Sequence, residues 1–547
     1  MKIENYLRPA ATVVMSVAVF LFWWLGYPEA LNYHEQNQLF LFTPGYFLGD
    51  ICVPGGLADY IGEFIVQFYY VPWLGALLAG MLYGAMQWLM WKVVEKYDRG
   101  FFQLTFLQPV MMLWHQGDID TLLSLPVAVT MALCMVVLVR RLGKAAPWVD
   151  IIAVPALYWL AGPVAWAYAV IRGLDGGLKI MAANVVVLCA AIMAAYWMVD
   201  WQYPLPMLFS GINYYRIPLH APTMQNVVLL LPAVIAMAAR FNPMKNEADL
   251  KGMRRKLSIT VQAALVAVTA CLALDKGYDS YIYEMLWQDS MVRQERWHDI
   301  IQRAGKHQAD VAFSSNCVNL ALGMTGQLPD RMFMFRQSGT DALLLQSIRD
   351  NMSDLPTAEA FWRLGMVNSA LRYMFDIQQS ILNARKSGRC TKRIAECYIV
   401  NGNYAAADKH LELLRHTLFY RQWAEEATAC LNNDAKVNRH AVWGKLRQYR
   451  YKERFLYYYP EKHKMLGLLF RQNTSNRLAL DYFMGQLLLD GDFKSFMGYL
   501  QWAQQYGGRT SMPYGYADAC QAIQQQGNVP GSAYAAYVNM MMNKTKK

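Results

Sequence analysis

The chain has 547 residues, 55% of them hydrophobic, 14% aromatic and only 17% charged, with a formal net charge of +11. Its positive charges sit mainly in short loops between apolar runs and on the C-terminal half, which suits membrane orientation and not the single concentrated basic face of a nucleic-acid binder. Nine cysteines, four before residue 275 and five after, form no C-x-x-C pair and no alternating Cys/His array, which argues against a disulfide framework and a structural zinc site.

Lys2 and Arg8 precede a first apolar run, Ala10–Gly26. No small-x-small cleavage site follows it and further spans do, so the run reads as a retained anchor with its N-terminus cytoplasmic. The next segment, residues 28–71, is too apolar for a solvated loop and too interrupted for a span. Gly45, Pro54, Gly55 and Gly56 cut it into two short amphipathic pieces of the kind that lie along an interface.

Further membrane runs follow at Trp73–Val94, a shorter Phe101–Trp114, Leu122–Val139, residues 147–173, Met181–Val199, Asn226–Ala239 and Leu257–Leu274. Basic clusters at Lys92/Lys96/Arg99, Arg140/Arg141/Lys144 and Lys251/Arg254/Arg255/Lys256 mark cytoplasmic ends. If all three are inside, an even number of crossings must separate Arg140 from Lys251. That condition favours a hairpin at Ala161-Gly162-Pro163, giving about 8–9 membrane segments. The expected architecture is therefore all-α: a polytopic transmembrane bundle over residues 1–275, in the cytoplasmic (inner) membrane, with everything after it extracytoplasmic.

Residues 276–535 show helical patterns and few strand signals, before a basic tail at 536–547. In "RIAECYIVNGNYAAADKHLELLRHT", Ile394, Ala395, Tyr398, Gly402, Tyr404, Ala407, Leu411 and Leu414 fall at tetratricopeptide spacings, in which two antiparallel helices meet at a Gly turn. Weaker copies surround Gly491 and Gly326. Such a TPR-like soluble domain either holds a protein or glycan partner in its groove or serves as a rigid spacer. The segment 443–464 is basic and aromatic, and reads as an amphipathic repeat helix or a dock for an acidic partner.

Ionisable residues at a membrane edge are costly unless useful. On the outer side under this topology stand His34, Glu35, Asp50, Asp59 and Glu63 in the first loop, His115, Asp118 and Asp120 in "LWHQGDIDTLL", and Tyr214, Tyr215, Arg216 and His220 in "SGINYYRIPLHAP". A first span followed by two juxtamembrane pieces bearing a carboxylate, with repeats at the far end, resembles the GT-C-fold glycosyltransferases. Those multi-pass enzymes use lipid-linked sugars. As a whole sequence the chain is also similar to an uncharacterised bacterial multi-pass family.

The GT-C resemblance implies transfer of a sugar from a polyprenyl-phosphate donor to an acceptor on the outer face. It assigns the proton-accepting carboxylate to Glu35, with Asp118 or Asp120 as substitutes. It places the donor phosphate against Arg216, His34, His220 and Tyr215. No metal site is assigned, although the histidines would suit a divalent cation. Structural roles stand beside each of these: Glu35 or Asp118 capping a helix, and Arg216 snorkelling to headgroups. The rival functions are a non-enzymatic membrane-anchored scaffold for envelope assembly and a transporter or flippase. The latter is disfavoured by mid-span positions almost free of charge and by the lack of internal duplication. No P-loop, dinucleotide fingerprint or H-E-x-x-H occurs, so a nucleotide or zincin enzyme is not expected.

Overall fold

A computed structural model describes residues 2–199, 203–217, 219, 221–242, 253–382, 385–452, 459–525 and 529–545. Among these residues the chain is all-helical, with no strand and one isolated antiparallel bridge. It divides into two compact units, Met1–Tyr283 and Glu284–Lys547.

The first unit begins with α1 (Lys2–Leu21), which runs into a π-turn at Phe22–Gly26. Three short helices follow: α2 (Pro28–Gln36), α3 (Pro44–Ile51) and α4 (Gly56–Val66). Proline at the first helical position starts α2 and α3, and α3 is also capped by the Thr43 side chain, which accepts from the Tyr46 amide. The long α5 (Pro72–Val94) packs on α1, and its glycines make that contact possible. A Cβ at Gly80 would overlap the Ser16 carbonyl, and one at Gly84 the Ser16 hydroxyl. Beside them a buried polar chain links the helices: Thr12 Oγ1 donates to Gln87 Oε1 at 2.6 Å, and Gln87 Nε2 to Thr105 Oγ1 at 2.8 Å.

The expected segment Phe101–Trp114 is instead a pair of 3-10 turns leading into α6 (Leu107–Gln116). Ten helical residues span only about 15 Å, half of the hydrocarbon core. Next come α7 (Ser124–Arg140), α8 (Ala146–Ala161), α9 (Ala165–Gly176), α10 (Leu178–Met198), a short α11 (Leu205–Ser210), α12 (Thr223–Arg240) and α13 (Met253–Lys276). Among the described residues six stretches are long and apolar enough to cross a membrane: Tyr6–Gly26, Pro72–Val94, Gly143–Gly176, Leu178–Met198, Thr223–Arg240 and Lys256–Lys276. The side chains of Lys251, Arg254 and Arg255 lie outside the described residues.

The stretch Gly143–Gly176 is not straight. Gly162 adopts φ +77°, a conformation that favours glycine, and Pro163 follows it without an amide to donate. The chain folds back, so that Asp150 and Arg172, at equal sequence distances from Ala161, form a buried pair at 3.0 Å. Tyr168 donates to the same carboxylate at 2.6 Å. At this base of the hairpin Asp175 gathers Lys96 at 2.7 Å, Arg140 at 2.8 Å, Arg172 at 2.8 Å and the Tyr97 hydroxyl at 2.8 Å. Part of the basic charge that suggested a cytoplasmic end thus collects at one end of the bundle, and the Gly162 tip lies at the other end of the hairpin.

The second unit starts within α14 (Ser280–Arg293) and continues through α15 (Trp297–Ala304), α16 (Ala312–Met324), α17 (Leu328–Arg331), α18 (Leu355–Leu364), α19 (Val367–Gln379), α20 (Gly388–Asn401) and α21 (Tyr404–Arg415). It ends with α22 (Arg421–Thr428), α23 (Asp434–Arg439), α24 (Ala441–Tyr449), α25 (Lys462–Gln472), α26 (Arg477–Asp490), α27 (Phe493–Tyr506), α28 (Tyr514–Gln524) and α29 (Ala533–Thr545).

Left-handed glycines close α18, α20 and α26 with the paired hydrogen bonds of a Schellman turn, for example Asn403 N to Tyr398 O at 2.9 Å and Asp492 N to Leu487 O at 3.0 Å. The next helix is then capped by the Asn403 or Asp492 side chain. Around Gly402 and Gly491 the expected helix pairs form, with Ile394, Ala395, Ala407, Leu411, Leu414, Phe496 and Ala503 buried. Around Gly326 the second helix is only the four-residue α17. Segment 443–464 is not one helix, since α24 ends at Tyr449 and α25 starts at Lys462, with residues 453–458 outside the described set. The basic C-terminal segment is helical to Thr545, with Tyr534 and Tyr537 buried.

Candidate active site

The segment that leaves α2 is buried without interruption from Tyr33 to Phe40, including five successive polar residues, His34, Glu35, Gln36, Asn37 and Gln38, each at most 6% exposed. The first part of the first loop, residues 28–71, is thus enclosed by the chain's own packing at Tyr33–Phe40. The chain turns inward here because Asn37 Nδ2 donates to the Tyr33 carbonyl at 3.0 Å and the Gln38 amide to the Glu35 carbonyl at 3.1 Å, which closes the end of α2. Helix α4 is also packed inward, with Asp59 held by Ser124 Oγ at 2.5 Å and Glu63 bonded to the Tyr46 hydroxyl. Helix α3 exposes Phe47 and Leu48 and has no buried residue, and α4 exposes Phe64. Burying so many polar groups is expensive unless partners are built for them.

Arg216 is one such partner. It is itself 3% exposed, and its guanidinium lies 5.3 Å from the centre of the Tyr33 ring. It is positioned by a short antiparallel pairing between two loops. Arg216 N donates to Asp120 O at 2.7 Å, Leu122 N donates to Tyr214 O at 3.2 Å, and Thr121 bridges Tyr215. The same pairing sets Arg216 3.5 Å from the Asp120 carboxylate and lets Tyr215 donate to Asp118 at 2.8 Å. Asp118 also accepts from the Asp120 amide at 3.0 Å, so it ties the loop between α6 and α7 as well. Tyr214 anchors the other loop: its hydroxyl donates to the Ala161 carbonyl and accepts from Val164 N at the hairpin tip.

Electrostatics in this cluster are those of a dry site. Burial first, and the Arg216 guanidinium second, pull His34 down to about 3, so the imidazole is neutral at physiological pH. It can donate or accept one hydrogen bond but brings no positive charge to a phosphate. Arg216 is the cation of the group, and its Nη1 is buried with no hydrogen-bond partner. His115, also deeply buried, has neither ring nitrogen bonded. Tyr215 is pushed up by burial and by the Asp118 carboxylate, so its phenol stays protonated.

Of the residues singled out in the sequence, His34, Asp118, Asp120, Tyr215 and Arg216 are thus brought into one neighbourhood, and Glu35 is buried on the same turn as His34. His220 lies outside the described residues. Neither Arg216 snorkelling to the surface nor Asp118 as a simple helix cap matches this burial and pairing. One participant was not foreseen: Tyr33 supplies an aromatic face, which its place one residue before His34 could have suggested. Tyr214, singled out in the sequence without a role, supplies the anchor. Among the described residues no group of three or more His, Cys, Asp or Glu stands close enough to hold a metal ion.

The model of a family of unknown function (DUF6057) matches residues 5–544, and the chain belongs to that family. No curated protein and no solved structure matches it.

Proposed function

We propose that this member of DUF6057 is a GT-C-like membrane glycosyltransferase that moves a sugar from a polyprenyl-phosphate donor to an acceptor on the outer face of the cytoplasmic membrane. The observation that carries the reading is the burial of His34 beside Arg216, whose Nη1 is left without a partner, with Glu35 buried on the same turn as His34. A buried guanidinium with spare donors fits a phosphate leaving group. Neutral His34 and the Tyr215 phenol supply further hydrogen bonds. Glu35 accepts or orients the acceptor proton as the hydroxyl attacks the anomeric carbon and the lipid phosphate departs, with Asp118 or Asp120 as the alternative base. The site lies toward the Gly162 tip of the hairpin. In this reading the basic base of that hairpin is cytoplasmic, in line with the positive-inside rule, and the site and the second, TPR-like unit are extracytoplasmic. Two crossings by α8 and α9, together with the short α6 and α7, give about nine membrane segments.

The test is a cell lacking this chain, complemented with wild type or Glu35→Gln at equal protein level. Accumulation of a polyprenyl-phosphate sugar and loss of a glycan product in the variant support the reading; an unchanged glycan and lipid profile rejects it. A second reading, a non-enzymatic scaffold with a repeat unit that recruits envelope proteins, draws on the pairing of Asp118 with Tyr215 and Asp120 with Arg216, which would equally serve to lock two loops.

A further inference from the structure

The second unit holds a groove that plays no part in the chemistry above. It lies between the end of α18, helix α24 and the start of α26, with a volume of about 440 Å³, within the range of ligand-sized sites. Arg363, Lys445 and Arg477 line it, one from each of those helices, and no Asp or Glu lines it among the described residues. Arg363 gives one donor to Glu295 at 2.7 Å, while its Nε is buried with no partner. Asn476, fully buried, ties the start of α26 to α18 by donating to the Leu364 carbonyl at 2.9 Å, and it caps α26 by accepting from Ala479 N. The positive end of the α26 dipole therefore faces the groove. The remaining wall is apolar and aromatic, with Trp362, Leu446 and Tyr449.

A ligand matching this lining must carry more than one negative charge together with an apolar part. An inorganic anion or small carboxylate meets the first demand only. We propose that the groove binds an acidic, partly apolar peptide segment of a partner protein, with carboxylates on Arg363, Lys445 and Arg477 and an apolar side chain against Leu446 and Tyr449. This assignment stands apart from the transferase reading and survives its failure.

The experiment uses the full chain in a nonionic detergent and a fluorescein-labelled peptide of alternating Glu and Leu, followed by anisotropy. Lys445 and Arg477 are exposed, so Lys445→Glu/Arg477→Glu is compatible with folding, which a melting curve verifies. Lys409→Glu/Lys494→Glu, also exposed and outside the groove, makes the same charge change as a control. The expected result is binding of the Glu/Leu peptide that weakens about ten-fold or more in the groove variant, but not in the control, and that a Lys/Leu peptide does not reproduce. No binding, equal loss in both variants, equal binding of the Lys/Leu peptide, or full displacement by citrate at equal carboxylate concentration would each overturn the proposal.

Discussion

Replacing Asp150 with Asn tests the fold-back of α8 on α9. The carboxylate is fully buried and receives Arg172 through Nε at 3.0 and 3.2 Å and Nη2 at 3.1 Å, besides the Tyr168 hydroxyl at 2.6 Å. Removing the charge leaves Arg172 inside the bundle with Asp175 alone, which Lys96 and Arg140 already share. Breaking a buried pair in this way costs about 3–5 kcal/mol, and the lower half applies here because Asp175 retains part of the interaction. For a unit of this size that corresponds to a fall in melting temperature of about 6–12 °C, read by thiol-reactive dye unfolding in detergent. The double variant Asp150→Asn/Arg172→Met should recover most of the loss, since it removes the stranded cation, and the cycle should show a coupling of about 2 kcal/mol or more. Unchanged melting of the single variant, or additive losses in the double one, would refute the antiparallel arrangement.

Other outcomes follow from the same structure. Gly84→Leu, which drives a side chain into Ser16 of α1, should destabilise the first unit by about 2–3 kcal/mol or more, seen as premature unfolding, whereas Gly45→Leu should be neutral because nothing lies near its Cβ. His34 has its folded value lowered to about 3, below the unfolded value of 6.5; its contribution is intact above pH 6.5 and is lost as pH falls from there toward 3. Melting curves at pH 7.5 and 5.0 should therefore differ less in His34→Gln than in wild type, by an amount equivalent to about 2 kcal/mol. In the second unit Glu359 accepts from Arg389 and Arg393, which hold it down to about 2 against the cost of burial. Glu359→Gln should then cost about 3–5 kcal/mol by urea unfolding at pH 7, and the difference from wild type should shrink as pH falls from about 4.5 toward 2.

The class of the fold was legible because apolar runs near 20 residues and Gly-punctuated helix pairs leave local marks. Gly402-Asn403-Tyr404 and Gly491-Asp492-Phe493 each encode a helix stop and the next helix start within three residues. Gly326-Gln327-Leu328 lacks the Asn or Asp cap, and there the second helix fails to extend. The hairpin at Gly162 could be inferred from charge sidedness, although the pairing of Asp150 with Arg172 could not, because each residue alone resembles an ordinary loop charge. The candidate site was readable only as residue types expected on one side of a membrane. The inward turn of Tyr33–Phe40 was hidden, because a polar run after a span looks the same whether it is solvated or enclosed. Arg216, which lies beside Tyr33 and His34, is held by the short pairing of residues 120–122 with 214–216, a contact between loops nearly a hundred residues apart.

The central claim is that the buried Arg216 centre receives a lipid phosphate. Native mass spectrometry of the full chain, released from micelles containing a polyprenyl phosphate, tests it most directly. Wild type should retain one lipid phosphate; Arg216→Gln, verified as folded by its melting curve, should lose at least about ten-fold in occupancy; Glu35→Gln should retain it. Equal retention by wild type and Arg216→Gln, or no retention by wild type, would contradict the account.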